Sequence, residues 1–214
     1  MQFKDRYDAG VRVAEKLKRY QGASKTVVVG LARGGVVVAD AVATALNLPV
    51  DVMIIRKVGA PFNEELAIGA IDEEGHGVLN DEIIQQLGIN PQYVQSESER
   101  QKGIAQQRAA LYRKEKKRVE LKDQTVIIVD DGIATGASMK AAIQALKQKG
   151  VKKIVLAVPV AAPDSLREIS ALVEEVICLD APYEFAAVGQ FYRDFDQTSD
   201  AEVVRILSSR SLSR

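Results

Sequence analysis

Tryptophan is absent from this 214-residue chain, and cysteine and histidine occur once each. One cysteine cannot close an internal disulfide, and no Cys/His cluster offers the spacing of a zinc site. Net charge is missing too, since 29 basic side chains balance 29 acidic ones. That balance removes any general electrostatic attraction to nucleic acid or to an anionic membrane. No run approaches the ~18 apolar residues of a membrane span. The first residues, MQFKDRYDAG, lack the apolar region of a secretory signal, so the cytoplasm is the expected setting. Internal repeats and low-complexity linkers are also lacking. What remains is an ordinary globular composition, 47% hydrophobic and 27% charged. The length suits one domain over residues 1–214 with a sizeable core.

Hydrophobic periodicity divides the chain into alternating elements. Asp5 to Tyr20 has helical spacing at Tyr7, Val11, Ala14 and Leu17. Thr26 to Gly30 is a short β-branched run of the fully buried strand type, and Gly35 to Leu46 reads as a helix. Val50 to Ile55 is a second strand. Leu66 to Ile71 and His76 to Leu79, joined by Asp72-Glu-Glu-Gly75, read as a hairpin with His76 exposed in its turn. Pro91 to Arg118 is polar, with a narrow apolar stripe through Ile104 and Leu111 and through Ala105, Tyr112 and Val119. The regular beat returns with strands Val126–Val129, Ile154–Val160 and Glu175–Leu179. Helices are expected at Ser138–Lys149, closed by Gly150, and at Pro163–Leu172. A last helix starts at Ser199, which forms a capping-box pattern with Glu202. Such alternation predicts an α/β fold: a central, mainly parallel five-stranded sheet with helices on both faces. Ligands of such sheets bind beyond the carboxyl ends of the strands.

One strand end is chemically loaded. VIIVDDGIATGASM, Val126 to Met139, runs from four aliphatic residues into Asp130 and Asp131 and then into a loop of small residues. Two carboxylates at a strand end can accept hydrogen bonds from vicinal hydroxyls or approach a metal ion. Ala134-Thr135-Gly136-Ala137-Ser138 lets backbone N–H groups come close to an anion, with two hydroxyls and a helix N-terminus in support. A diol site and a phosphate site nine residues long suit a ribose 5-phosphate. An Asp-rich turn followed by an ordinary helix cap would not need five consecutive small residues.

This stretch resembles the phosphoribosyl-pyrophosphate (PRPP) signature of the type I phosphoribosyltransferase family. The resemblance implies that Asp130 and Asp131 bind the ribose hydroxyls and that Ala134 to Ser138 cradle the 5-phosphate. It implies Mg2+ carried with PRPP; Asp130 and Asp131 lie near it, with no certain direct protein ligand. Leu31-Ala32-Arg33-Gly34-Gly35 resembles the family's pyrophosphate loop, with Arg33 able to contact phosphate and the glycines permitting close approach. Arg56 and Lys57 follow a strand where the family carries a flexible lid, as in its adenine-type members. They are expected to stabilise the pyrophosphate leaving group, or else to be a solvated basic pair. Val58 to Glu65 then reads as a mobile loop, with Glu64 and Glu65 either acting in the lid or starting a helix or strand. The catalytic set implied is Arg33, Arg56, Lys57, Asp130 and Asp131.

The resemblance covers about Thr26 to Leu179, with two departures. Members acting on 6-oxopurines have Asp where this chain has Ala134, which argues against hypoxanthine or guanine. Residues 91–118 do not match the compact core and read as a charged helical insertion: an arm, a hood element or a subunit contact. Residues 180–214 read as a C-terminal hood or tail. Five of eleven aromatics fall between Tyr183 and Phe195. Tyr183 or Phe185 could stack on a base, while Phe191, Tyr192 and Phe195 could equally pack the tail onto the sheet. Arg113-Lys-Glu-Lys-Lys-Arg118 is either a nucleic-acid patch or cations at a helix C-terminus.

The expectation is a transferase moving ribose 5-phosphate from PRPP to a nitrogenous, nucleobase-like small-molecule acceptor, without nucleic-acid or membrane partners, as a homo-oligomer such as a dimer. The alternative is a PRPP-sensing regulator that has kept the site. A receiver domain carries its acidic pair near the chain start without the T-G loop. A nicotinamide-binding protein would carry G-x-G-x-x-G after its first strand, and this chain does not.

Overall fold

The computed structural model describes residues 1–114 and 117–209. Glu115 and Lys116 of the expected insertion, and 210–214 of the expected tail, lie outside the described residues. Among the described residues are eight strands: β1 Thr26–Leu31, β2 Val50–Met53, β3 Arg56–Ala60, β4 Asn63–Ile71, β5 Gly77–Leu79, β6 Thr125–Val129, β7 Lys153–Val160 and β8 Glu175–Asp180. The same residues form seven α-helices: α1 Arg6–Lys16, α2 Gly34–Leu46, α3 Asp81–Gln86, α4 Pro91–Tyr112, α5 Ala137–Gln148, α6 Pro163–Ser170 and α7 Asp200–Ser209.

The larger sheet has the order β2-β1-β6-β7-β8, and every pairing is parallel, as expected. Alternate residues of each central strand serve opposite faces. Val28, Ile127, Val129 and Val155 pack with α1, α2 and α7, joined by Ala105, Ala109 and Tyr112 of α4. Val27, Val29, Val126, Ile128 and Leu156 pack under Met139, Ile143 and Leu146 of α5 and Ile169 of α6. Burial on both faces explains why these strands are near-continuous β-branched runs. From β1 the chain steps outward to β2, whereas from β6 it steps the other way to β7 and β8. The order therefore reverses between β1 and β6, where Gly30 pairs with Val129. The crevice of such a sheet opens at that reversal.

A second, antiparallel sheet, β3-β4-β5, corrects the expected mobile loop at Val58 to Glu65. Arg56–Ala60 is a strand, turned at Pro61-Phe62 into β4. Val58 and Ala60 are buried with Ile68, Ile89 and Val94, and that packing orders a segment whose Gly-Ala-Pro-Phe composition suggests a loop. Helix α4 is a second correction. It buries Val94, Glu97, Gln101, Ala105, Ala109 and Tyr112, whereas Leu111 is 46% exposed. Of the two expected runs, Ala105 and Tyr112 are buried, whereas Ile104 is half-buried and Leu111 exposed; Val94, Glu97, Gln101 and Ala109 complete the inward face, which rests on the β3–β5 sheet and the core together.

Segments far apart in sequence, around Phe3 and around Tyr192, build the hood. Phe3 bridges Tyr192, with Phe3 N–H donating to Phe191 O (2.8 Å) and Arg193 N–H to Phe3 O (2.9 Å). Phe3, Ala9, Val160, Phe191 and Tyr192 form one buried cluster. Ser199 caps α7 by accepting from Glu202 N–H at 3.1 Å, as its pattern predicts.

Candidate active site

The loops after β1 and β6 face each other at the strand-order reversal. Asp130 and Asp131 leave β6 together, and Asp131 N–H donates to Asp130 Oδ1 at 2.9 Å. Arg6, from the first turn of α1, places Nε 2.7 Å from Asp131 Oδ2. Its Nη1 donates to Asp196 O (2.7 Å), and its guanidinium lies 3.8 Å from the centre of the Phe195 ring. The Tyr192 hydroxyl donates to Asp131 O at 2.5 Å. Burial, and next the charge of Asp131, push the Tyr192 phenol above its ordinary value, so it stays a donor. Asp130 is raised well above its ordinary value, first by burial and then by Asp131. Two adjacent carboxylates in a restricted volume resist simultaneous ionisation.

Gly34 and Gly35 open α2 directly against this pair. A β-carbon at Gly34 would collide with Asp131 Oδ2 and lie 2.8 Å from Arg6 Nε. At Gly35 it would lie 2.9 Å from both Asp130 Cα and Asp130 Oδ1. The glycine pair is thus required by the closeness of the two loops. Arg33 occupies the N-cap position, and its peptide bond to Ala32 is cis.

Beyond the aspartates, Ile133 N–H donates to Val160 O (2.9 Å) and Ala162 N–H to Ile133 O (2.8 Å), stitching the loop to β7. Ser165 Oγ donates to Ala134 O at 2.6 Å. Gly136 has φ +73°, a left-handed conformation that favours glycine. Helix α5 begins at Ala137, and its first-turn N–H groups have no intrahelical acceptors by geometry. Ala134, Thr135, Ala137 and Ser138 are exposed around this end, as an anion cradle requires.

Residues 2–196 match the phosphoribosyl transferase domain family. The chain belongs to that family. A Mycobacterium tuberculosis protein, provisionally assigned as a phosphoribosyl transferase, is 45% identical over 205 residues. That match covers 96% of this chain and 46% of the relative, so the chain spans about half the length of that curated protein. The solved structure of TT1426 from Thermus thermophilus is 43% identical, covers 98% of this chain and 99% of its own, and superposes with a TM-score of 0.85. A Clostridium botulinum uracil phosphoribosyltransferase is 48% identical over 50 residues, 23% of this chain and 24% of its own.

The other expected residues of this phosphoribosyl transferase domain are distributed as follows. Lys57 is exposed on β3, while Arg56 turns to α4 and donates from Nε to Gln101 Oε1 at 2.9 Å. Burial, then the charges of Arg108 and Arg100, lower the Arg56 pKa. Arg33 Nη1 stands 3.7 Å from Asp200 Oδ1. Glu64 approaches Arg100 at 3.9 Å, and Glu65 lies in β4, with its side chain outside the described residues. Tyr183 is 96% exposed, and Phe185 rests on Phe191 with ring centres 5.1 Å apart. Phe191 and Tyr192 pack the tail onto the sheet. Arg6 is the side chain against the acidic pair that sequence reading misses. It lies 125 positions from Asp131, and no local pattern in KDRYDAG marks it.

Asp72, Glu74 and His76, in the β4–β5 turn, bring ligand atoms within 4.8 Å of one another. Lys149 fills that position instead: its Nζ lies 2.7 Å from Asp72 Oδ2 and 3.2 Å from His76 Nδ1, and it also pairs with Glu74. Burial lowers the Lys149 pKa, with Asp72 opposing that shift. Magnesium favours an all-oxygen shell, which suits Asp130 and Asp131 better than a turn already neutralised by an ammonium. No helix is long and apolar enough to cross a membrane among the described residues.

Proposed function

We propose that this chain transfers ribose 5-phosphate from PRPP to a nitrogenous, nucleobase-type acceptor and releases pyrophosphate. The observation that carries the reading is the convergence at one crevice of an acidic pair, a helix-opening glycine pair and a small-residue anion loop, with Gly34 in contact range of Asp131. Asp130 and Asp131 would accept from the ribose hydroxyls, and the Thr135–Ser138 backbone and hydroxyls would hold the 5-phosphate. Arg33 and Gly34-Gly35 would receive the pyrophosphate, with Lys57 and Arg56 brought from β3.

In the reaction, an acceptor ring nitrogen forms a bond to ribose C1 as the bond from C1 to the pyrophosphate oxygen breaks. Negative charge collects on the leaving group while C1 acquires oxocarbenium character. The chain's part is therefore positioning and stabilisation of developing charge. Mg2+ held with PRPP near Asp130 and Asp131 would neutralise pyrophosphate charge. Closure of the β3–β4 turn at Pro61-Phe62 over the crevice would limit water, the competing nucleophile. Cytoplasmic location and homo-oligomeric assembly accompany this reading.

Calorimetry of PRPP with Mg2+ tests it on the wild type, Asp131→Asn and Thr135→Ala. The expected result is tight binding by the wild type and weakened binding by both variants. Equal affinity across the three sinks the assignment. Pyrophosphate release across a panel of bases then separates a transferase from a sensor that binds PRPP without turnover.

A further inference from the structure

Helix α4 carries one inward stripe whose two ends reach residues of the proposed pyrophosphate set. Gln101, Ala105, Arg108 and Tyr112 stand at i, i+4, i+7 and i+11, a single helical stripe. Each end of the stripe is tied to a residue of the proposed pyrophosphate set. At one end, Gln101 accepts from Arg56 Nε at 2.9 Å. At the other, the Tyr112 hydroxyl donates to Asp200 Oδ1 at 2.5 Å, and Asp200 stands 3.7 Å from Arg33. Arg108 lies between, about 10 Å along the axis from Gln101 and about 6 Å from Tyr112. Its charge is felt by Arg56, and the charges of Arg108 and Arg33 are both felt by Tyr112.

Arg108 is partly buried, yet among the described residues it has no hydrogen-bond or ion-pair partner. Elsewhere on α4 the cations are matched: Arg100 with Glu97 at 2.7 Å, and Lys102 with Glu99 at 3.4 Å. A partly buried guanidinium near that of Arg56, with no carboxylate of its own, carries a desolvation cost that a bound anion relieves. A polyanion lying across Arg33, Arg108 and Arg56 would remove that cost and accept charge-assisted hydrogen bonds from all three.

We infer that Arg108 is a further pyrophosphate-binding residue, and that α4 is the wall which carries the leaving-group site from the β1–α2 loop to β3. The ligand class is a diphosphate, free or as the pyrophosphoryl end of PRPP. The inference rests on the PRPP reading of the crevice. It gives the charged insertion a role in the chemistry rather than in subunit contact alone.

The test compares wild type, Arg108→Gln and Arg108→Lys in calorimetry with three probes in Mg2+: PRPP, inorganic pyrophosphate and ribose 5-phosphate. Arg108→Gln is expected to weaken PRPP and pyrophosphate about tenfold or more while leaving ribose 5-phosphate unchanged. Arg108→Lys is expected to recover part of the loss, since it keeps the charge without the fork. The melting temperature of ligand-free Arg108→Gln should equal or exceed that of the wild type, because a repulsive cation has been removed. Unchanged pyrophosphate affinity overturns the inference and leaves the PRPP reading standing. So does an equal loss for ribose 5-phosphate, or a fall in the ligand-free melting temperature, either of which marks a structural role. Failure of the wild type to bind PRPP at all overturns the reading beneath it.

Discussion

Replacing Arg113 with methionine should destabilise the fold far more than a typical surface change. Arg113 follows α4 and is only 11% exposed at its side chain. Its Nε lies 2.9 Å from Asp51 Oδ1 on β2, its Nη1 2.8 Å from Glu73 Oε1 in the β4–β5 turn, and its Nη2 donates to Val52 O at 2.5 Å. Burial works against the guanidinium charge, but Asp51 and Glu73 overcome it and hold the Arg113 pKa above the ordinary value. One side chain therefore joins both sheets to α4. Methionine keeps much of the volume but leaves buried Asp51 without its cation and Glu73 with only Arg118, at 3.9 Å. Breaking a buried pair from one side costs about 3–5 kcal/mol. For a chain of this size, each kcal/mol lowers the melting temperature by about 2–4 °C, so Arg113→Met should lose roughly 6–20 °C. Scanning calorimetry at neutral pH reads this directly. Adding Asp51→Asn and Glu73→Gln to Arg113→Met should restore part of the loss by removing the stranded charges. A fall of less than about 3 °C in the single variant, against that 6–20 °C expectation, would refute the claim that this hub joins the sheets.

Three further outcomes are expected. Gly34→Ala should abolish measurable PRPP binding in calorimetry, because its methyl group would collide with Asp131 Oδ2; binding within twofold of wild type would contradict that geometry. Asp130→Asn should raise the melting temperature at neutral pH. The folded-state pKa of Asp130 lies above its unfolded value, so ionisation penalises the native state once the pH exceeds the ordinary carboxylate range. The gain should shrink towards zero as the pH falls to about 4, where the unfolded carboxyl also protonates; a pH-independent difference would contradict the assignment. Cys178 should resist iodoacetamide at neutral pH relative to a small free thiol, because burial pushes its thiol up to about 11. Mass spectrometry of the native chain reads the rate, and labelling as fast as the free thiol would oppose it.

Local patterns carry the parts of this fold that depend on neighbours in sequence. The β-branched runs at Thr26 and Val126 mark doubly buried strands, and the small residues from Ala134 to Ser138 mark a backbone that must approach something closely. Features set by distant residues left no such trace. Arg56–Ala60 carries two cations and a glycine, and it becomes a strand only because β4 pairs with it and Ile89 and Val94 cover it. The inward face of α4 holds Glu97 and Gln101, which periodicity assigns to solvent. Glu97 is buried because Arg100 and Gln101 bond to its carboxylate at 2.7–2.8 Å. Polar groups satisfied in this way break the apolar stripe on which helix reading depends. Within Arg113–Arg118 the same logic applies: Arg113 reads as an ordinary cation after a helix, and the carboxylates that bury it lie 62 and 40 positions away.

Contacts from α1 and from the segment around Tyr192 show how such distant residues meet at the crevice. Phe3 and Tyr192 meet with ring centres 5.3 Å apart, and each brings a polar neighbour to Asp131. Arg6 reaches its carboxylate from α1, and the Tyr192 hydroxyl reaches its carbonyl from the tail. Together they hold both the carboxylate and the backbone of one aspartate in position, and Phe195 beneath the Arg6 guanidinium limits the alternatives open to it. Among the described residues Asp130 has no such clamp, and it keeps its raised pKa. The pair is therefore asymmetric before any ligand arrives. Asp131 is held in place by the hood, while Asp130 is the carboxylate whose ionisation gains most from incoming hydroxyl donors or a metal ion. A site read from two adjacent letters thus depends on a hood whose two halves begin and end the match to the family.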